Sequence, residues 1–419
     1  MKLLWVCNMM PKALREQVCG ADSGGGFWLD HVFGGLLERQ ELTIRVLCGY
    51  DGELLQGSLS ERCSYATFQL GKRHGYQPHL EGWFAGQFRD FAPDAIHIWG
   101  TEFGHTLAAL RGAKETGLLD HTVVSIQGLC SVYTDHYAEG LPVPVQRSAT
   151  FRDLLRQDNI LQQRQKFAIR GRMEVEALQL AHHVIGRTDW DRACAEKINP
   201  HAQYHFCNET LRQPFYQDSW QYEACRKHSI FAPSCSYPVK GFHYLLEAFD
   251  QVLKVFPDAR LYLPGESPVA ESARARLRQS SYQRYLQKQM TQYGLKDKVH
   301  FLGGLNAGQM KENYLSANVF VLPSTIENSP NSLGEAMLLG VPCVASDVGG
   351  VKNLMTHDRE GFVYQSTAPY MLSHYICRVF RMENQAQALG AAAQTHARKT
   401  HDPDANLQAL LEIYHNIAG

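Results

Sequence analysis

Short apolar runs recur along the whole chain, and longer amphipathic stretches separate them. In the first half the runs fall at 3–7, 43–48, 95–99, 122–126 and 183–185. In the second half they fall at 229–232, 260–263, 299–302, 319–322, 342–345 and 361–364. Most place β-branched or aliphatic residues on consecutive positions. That suits strands covered on both faces, as in a parallel sheet. Between them, stretches such as 241–256, 332–339 and 402–417 carry the apolar spacing of helices. Alternating strands and helices over such a length predict an α/β protein built from two doubly wound units.

The pattern is interrupted near 205–226, where Asn208-Glu209-Thr210-Leu211-Arg212-Gln213-Pro214 reads as an irregular connection. The expected division is therefore 1–207 for a first Rossmann-like domain and 208–395 for a second, with 396–419 left as a terminal helical piece. Two stretches stand outside the alternation. Residues 147–174 hold seven arginines and lysines against three acids, and 266–293 carry Arg274, Arg276, Arg278, Arg284 and Lys288. Each reads either as a solvated helix face or as a basic surface for anionic lipid or a polyanionic acceptor.

Composition adds bounds rather than chemistry. The 419 residues are 44% hydrophobic and 20% charged, which excludes a disordered or fibrous chain. Lys plus Arg is 41 against 42 acids, a net charge of −1, so nothing suggests nucleic-acid binding. Eleven scattered cysteines without C-x-x-C spacing suit a reduced, cytoplasmic interior better than disulfides or a zinc site. The apolar start at 3–7 is too short for a signal peptide, and no run is long enough to span a bilayer.

No G-x-G-x-x-G after a strand, P-loop, G-x-S-x-G or H-E-x-x-H motif is present. Asp189-Trp190-Asp191 could hold a divalent metal, but it opens a helix, where capping is the commoner task. The most informative segment is 319–342. A buried strand leads into Pro323-Ser324-Thr325-Ile326-Glu327-Asn328-Ser329-Pro330, then a helix that Gly340 and Pro342 end. Such a loop lies at the carboxyl end of a parallel strand, where α/β sheets bind ligands. Backbone N–H groups around Asn331, Ser332, Leu333 and Gly334 offer a site for an anion. Ser332-Leu333-Gly334-Glu335 also has the form of a capping box, which would make Glu335 structural. Capping does not account for Glu327.

Glu327 and Glu335, eight positions apart in this setting, followed by Gly340-Val341-Pro342-Cys343-Val344-Ala345-Ser346-Asp347-Val348-Gly349-Gly350, resemble the retaining glycosyltransferases of the GT-B fold, family 4. The resemblance is strong over 228–364 and looser before it. It implies two Rossmann-like domains facing a cleft, with the terminal helix crossing back to the first. It implies transfer of a sugar from a UDP- or GDP-linked donor to a glycan or lipid-linked acceptor in polysaccharide or glycolipid biosynthesis. No metal or other cofactor is implied. In that pattern Glu335 binds the donor ribose, and Glu327 meets the transferred sugar. The loop N–H groups, including Ser329, hold the diphosphate and sugar, and Lys240 binds the diphosphate. A lysine at a helix start is poorly placed for the helix dipole, which favours such a role. Gly24 and Gly25, in Asp22-Ser23-Gly24-Gly25-Gly26, match the family's first-domain glycine loop.

Two positions depart from the family. An arginine usual six residues before the lysine is Ser234 here, and Arg187 is a candidate replacement. A histidine usual after the strand at 122–126 is replaced by Gln127, which can orient a sugar or phosphate but cannot act as a base. Peripheral contact with the inner face of a membrane through the first domain is a further expectation. An isomerase or hydrolase on the same scaffold, and an inactive nucleotide-sugar-binding protein, are the competing functions.

Overall fold

The computed structural model describes residues 1–20, 27–71 and 75–419. The chain divides into two compact units. The first holds Met1–Val132, Lys166–Leu211 and His401–Gly419, and the second Tyr133–Gln165 and Arg212–Thr400. Residues 133–165, expected in the first domain, thus belong to the second unit, and the helix Ile160–Leu180 runs through the change.

The first unit is built on one sheet: β1 (Lys2–Cys7), β2 (Thr43–Tyr50), β3 (Gln56–Ser60), β4 (Cys63–Gln69), β5 (Ala95–Trp99), β6 (Thr122–Ser125), β7 (His183–Gly186) and β8 (Gln203–Phe206). Their order is β3-β4-β2-β1-β5-β6-β7-β8, all parallel except the β3–β4 pair. Leu3 to Cys7 are completely buried, as consecutive apolar residues on a central strand must be. Trp5 packs against Phe33 at 5.6 Å and Trp99 at 5.0 Å.

The last helix, Pro403–Ala418, is capped by Asp402, whose carboxylate accepts from the Ala405 N–H at 2.8 Å. Its buried face, Leu407, Leu410, Leu411, Tyr414 and Ile417, joins the core beneath β1 and β2. The Tyr414 hydroxyl accepts from Trp5 Nε1 at 3.0 Å and meets His97 Nδ1 at 2.6 Å, while His97 Nε2 meets Ser125 Oγ at 2.6 Å. Three strands and the final helix therefore share one buried polar chain.

The second unit has a six-stranded parallel sheet: β9 (Ser229–Phe231), β10 (Arg260–Leu263), β11 (Val299–Phe301), β12 (Val319–Leu322), β13 (Cys343–Ser346) and β14 (Phe362–Tyr364). The order β11-β10-β9-β12-β13-β14 is the doubly wound arrangement. Its order reverses between β9 and β12, and in such sheets the carboxyl ends of the two strands at the reversal are the usual ligand position. The ten cysteines whose side chains are described are unbridged, and all but Cys194 are buried. No helix among the described residues is long and apolar enough to cross a membrane.

Candidate active site

The loops after β9 and β12 are stitched together by Gly241. This residue has φ +63°, and a Cβ there would lie 1.8 Å from the Pro323 carbonyl oxygen. Only glycine admits that approach. Beside it the Thr325 N–H donates to the Val239 carbonyl at 2.9 Å. The close seam delivers Lys240, at the end of the turn Pro238–Lys240, to the β12 loop. Its Nζ lies 2.6 Å from Glu327 Oε1, and the Ser324 hydroxyl donates to the same oxygen at 2.7 Å. Ser324 is itself placed by Ser346, whose hydroxyl donates to the Ser324 carbonyl at 2.6 Å. Glu327 is 6% exposed, while Lys240 keeps about a third of its side chain open.

The helix after this loop is Asn331–Leu338, and Pro330 is its cap, without a side-chain hydrogen bond. The Leu333 and Gly334 N–H groups donate to the Pro330 carbonyl at 3.0 and 3.2 Å, so they are not open to an anion in this conformation. The N–H groups of Ser329, Asn331 and Ser332 have no partner among the described residues. They form the positive end of the helix.

The capping-box alternative for Glu335 fails. The helix begins before Ser332, and the Glu335 carboxylate turns inward to Arg212. Arg212 Nε donates to Oε1 at 2.7 Å and Nη2 to Oε2 at 2.8 Å. The Tyr314 hydroxyl, 3.1 Å from the Ser332 carbonyl, lies 3.4 Å from Oε2. Burial pushes the Glu335 carboxyl up, and the guanidinium pulls against it. A bidentate fork of this geometry favours the ionised acid against its burial. Arg212 also lies over the Phe215 ring, 4.7 Å from its centre.

In the first unit the expected residues meet around an unexpected one. Gln127 Nε2 donates to Glu209 Oε1 at 2.6 Å, and Arg187 Nη1 is 2.5 Å from Glu209 Oε2. Arg187 Nη2 also donates to the carbonyls of Ile126 and Gln127. The His401 ring reaches the Glu209 carbonyl at 2.7 Å. Arg187 is only 6% exposed, and its charge is answered by Glu209, so as placed it is no free cation to replace the arginine absent at Ser234. Asp191 is fixed in a capping box with Thr188, which accounts for one acid of the D-x-D sequence. Gly24 and Gly25 lie outside the described residues.

The structure thus brings Lys240 and Glu327 together and sets Glu335 on the helix that follows. It gathers Gln127 and Arg187 in the other unit. Arg212, Ser324 and Glu209 complete these clusters and were not singled out from the sequence. Arg212 and Glu335 are 123 positions apart, and only the fold pairs them.

Comparison with known proteins fits this geometry. Residues 229–396 match the family model for glycosyl transferases group 1. A glycosyltransferase of Methanocaldococcus jannaschii, itself uncharacterised, is 31% identical over 140 residues, 33% of this chain and 32% of that protein. The D-inositol 3-phosphate glycosyltransferase of Thermomonospora curvata is 29% identical over 177 residues, 42% of this chain and 40% of the relative. The chain therefore spans well under half the length of these curated relatives. Among solved structures, sucrose-phosphate synthase from Thermosynechococcus elongatus superposes with a TM-score of 0.71 at 16% identity, covering 99% of this chain and 98% of that one. The Anabaena protein HepE, in complex with UDP-glucose, gives 0.66 at 16% identity, covering 99% of each chain. The fold is GT-B.

Proposed function

We propose that the chain is a retaining, metal-independent glycosyltransferase of family 4. It moves a sugar from a UDP- or GDP-linked donor to a glycan or lipid-linked acceptor, in polysaccharide or glycolipid assembly in the cytoplasm. The observation that carries the proposal is the contact of Lys240 with Glu327 at the switch point of a sheet whose sequence matches glycosyl transferases group 1.

The chemistry follows from the groups present. In the reaction the bond from the sugar anomeric carbon to the diphosphate oxygen breaks, and a bond to the acceptor oxygen forms on the same face. The acceptor proton passes to the departing phosphate oxygen. The cost lies in the charge that develops on the diphosphate, and preorganised donors lower it. Lys240, paired with Glu327 but a third open where Arg187 is buried, supplies the cation, and the N–H groups of Ser329, Asn331 and Ser332 supply a helix terminus. Glu327, held by Lys240 and Ser324, accepts from hydroxyls of the transferred sugar. Glu335 accepts from the ribose hydroxyls through lone pairs that Arg212 leaves open. Leu333 and Gly334 frame the turn rather than donate. The family resemblance assigns Gln127 to orienting sugar or phosphate. HepE in complex with UDP-glucose supports a nucleotide sugar as the ligand class.

Incubation with UDP- and GDP-linked sugars and mixed acceptors tests this. The expected result is nucleotide release with the sugar on an acceptor, its anomeric configuration unchanged by NMR. An inverted product overturns retention. Free sugar or an epimerised donor without transfer overturns the transferase and favours a hydrolase or isomerase.

A further inference from the structure

Two short helices of the second unit, Phe151–Arg156 and Ala273–Arg278, pack together although 122 positions separate their first residues (273 minus 151). They come from the two basic stretches that interrupt the strand–helix alternation. Asp153 fixes the junction. It is fully buried, closes a capping box with Thr150, pairs with Arg152 at 3.0 Å, and accepts from the Ser281 N–H at 2.8 Å. With its one acid turned inward, the first helix shows solvent mainly Phe151, Leu154 and Leu155, which are 62%, 69% and 76% exposed, and Arg156, while Arg152 is about a fifth exposed and paired with Asp153 and Asp158. The spacing i, i+3, i+4 puts the three apolar side chains on one stripe. The second helix adds one large apolar side chain among arginines, with Glu271 exposed just before it. Leu277, 55% exposed, stands between Arg274 and Arg278, and Arg276 is also exposed. An open recess of about 430 Å³ beside it has Arg274 and Arg278 on its wall, with Glu266 the one acid among the lining residues.

From this surface we infer that the second unit docks on an anionic lipid bilayer, with Phe151, Leu154, Leu155 and Leu277 entering the headgroup boundary and the arginines meeting lipid phosphates. Large aliphatic and aromatic side chains ringed by arginine are what an interfacial segment needs. An exposed cluster of this kind is uncommon on a surface that meets only water. A second copy of the chain fits less well, because a two-fold interface would set the arginines against one another. The inference differs from the sequence expectation in its place, since both helices belong to the second unit, and it does not depend on glycosyl transfer.

Flotation with vesicles tests it, using phosphatidylcholine alone and phosphatidylcholine mixed equally with phosphatidylglycerol. The full chain is expected to bind the mixed vesicles and not the neutral ones. Leu154→Ser/Leu155→Ser and Arg274→Glu/Arg278→Glu should each weaken binding by about tenfold or more. A tryptophan at 151, introduced as Phe151→Trp, should shift its emission to the blue on the mixed vesicles. All these side chains are exposed, and circular dichroism with gel filtration confirms that the variants remain folded. Failure of the wild type to bind overturns the inference. So does binding that the leucine changes leave intact, which would mean simple affinity for polyanions. A concentration-dependent dimer abolished by the leucine changes would instead assign the surface to self-association and overturn it as well.

Discussion

The guanidinium of Arg212 meets the Glu335 carboxylate edge to edge, with both contacts under 3 Å and the acid only 4% exposed. Removing one partner strands the other charge inside the protein. Arg212→Met should therefore destabilise the chain by about 3–5 kcal/mol in urea unfolding. Arg212→Met/Glu335→Leu should recover most of that loss, because apolar side chains can replace a buried pair. Nucleotide affinity should stay low in both. Recovery of affinity along with stability would make the pair structural only.

Gly241→Ala tests the seam between the loops. The left-handed backbone alone should cost about 1–2 kcal/mol. The Cβ, set 1.8 Å from the Pro323 carbonyl, must also push the β12 loop away from Lys240. Calorimetric titration with UDP or GDP should show weaker binding than in the wild type. Unchanged stability and affinity would mean that the two loops are not held as described.

His97 links the last helix to the sheet and gives a pH dependence. It is buried between Tyr414 and Ser125, and burial lowers its pKa from the ordinary 6.5 to about 3. The unfolded chain takes up a proton near 6.5, whereas the folded one does not. The histidine's contribution is thus present above pH 6.5 and is lost as pH falls from there toward 3. Between pH 6.5 and 5 that loss is about 1.5 kcal/mol, provided the folded ring stays neutral. Urea unfolding of His97→Gln, which keeps polar contacts, should show a smaller drop over this interval. An equal drop would place the acid sensitivity elsewhere.

Tyr414→Phe removes the hydroxyl on which Trp5 and His97 converge. A buried donor left without its acceptor should lower stability by about 1–3 kcal/mol. Because the cluster lies in the first-unit core, affinity for nucleotide should not change. A changed affinity would show that the terminal helix acts on the donor site.

The strands buried on both faces were legible from the sequence, because consecutive apolar residues have few other uses. All eleven apolar runs became strands, with ends shifted by no more than two positions. Those not foreseen were β3, β4 and β8. The first and last are sheet edges, with exposed or half-buried residues such as Gln56, Gly57 and Gln203, and in β4 Ser64 and Thr67 break the apolar run. At the site, the loop carrying Glu327 could be read because strand, loop and helix are continuous in sequence. The partners could not. Glu209 and Arg212 sit in a connection without periodicity, and their contacts depend on segments brought back by the fold. The assignment of 133–165 to the second unit is hidden for the same reason, since a helix running between units carries no boundary signal.

The most direct test of the central claim is a double-mutant cycle on Lys240 and Glu327, read as kcat/KM with the donor that supports transfer. Lys240→Ala should lower kcat/KM by about 2–4 kcal/mol of transition-state stabilisation. Glu327→Gln should also lower it, and the double variant should lose much less than the sum, because the two side chains act through one contact. Turnover within a few-fold of wild type in either single variant, or strictly additive losses, would contradict the account.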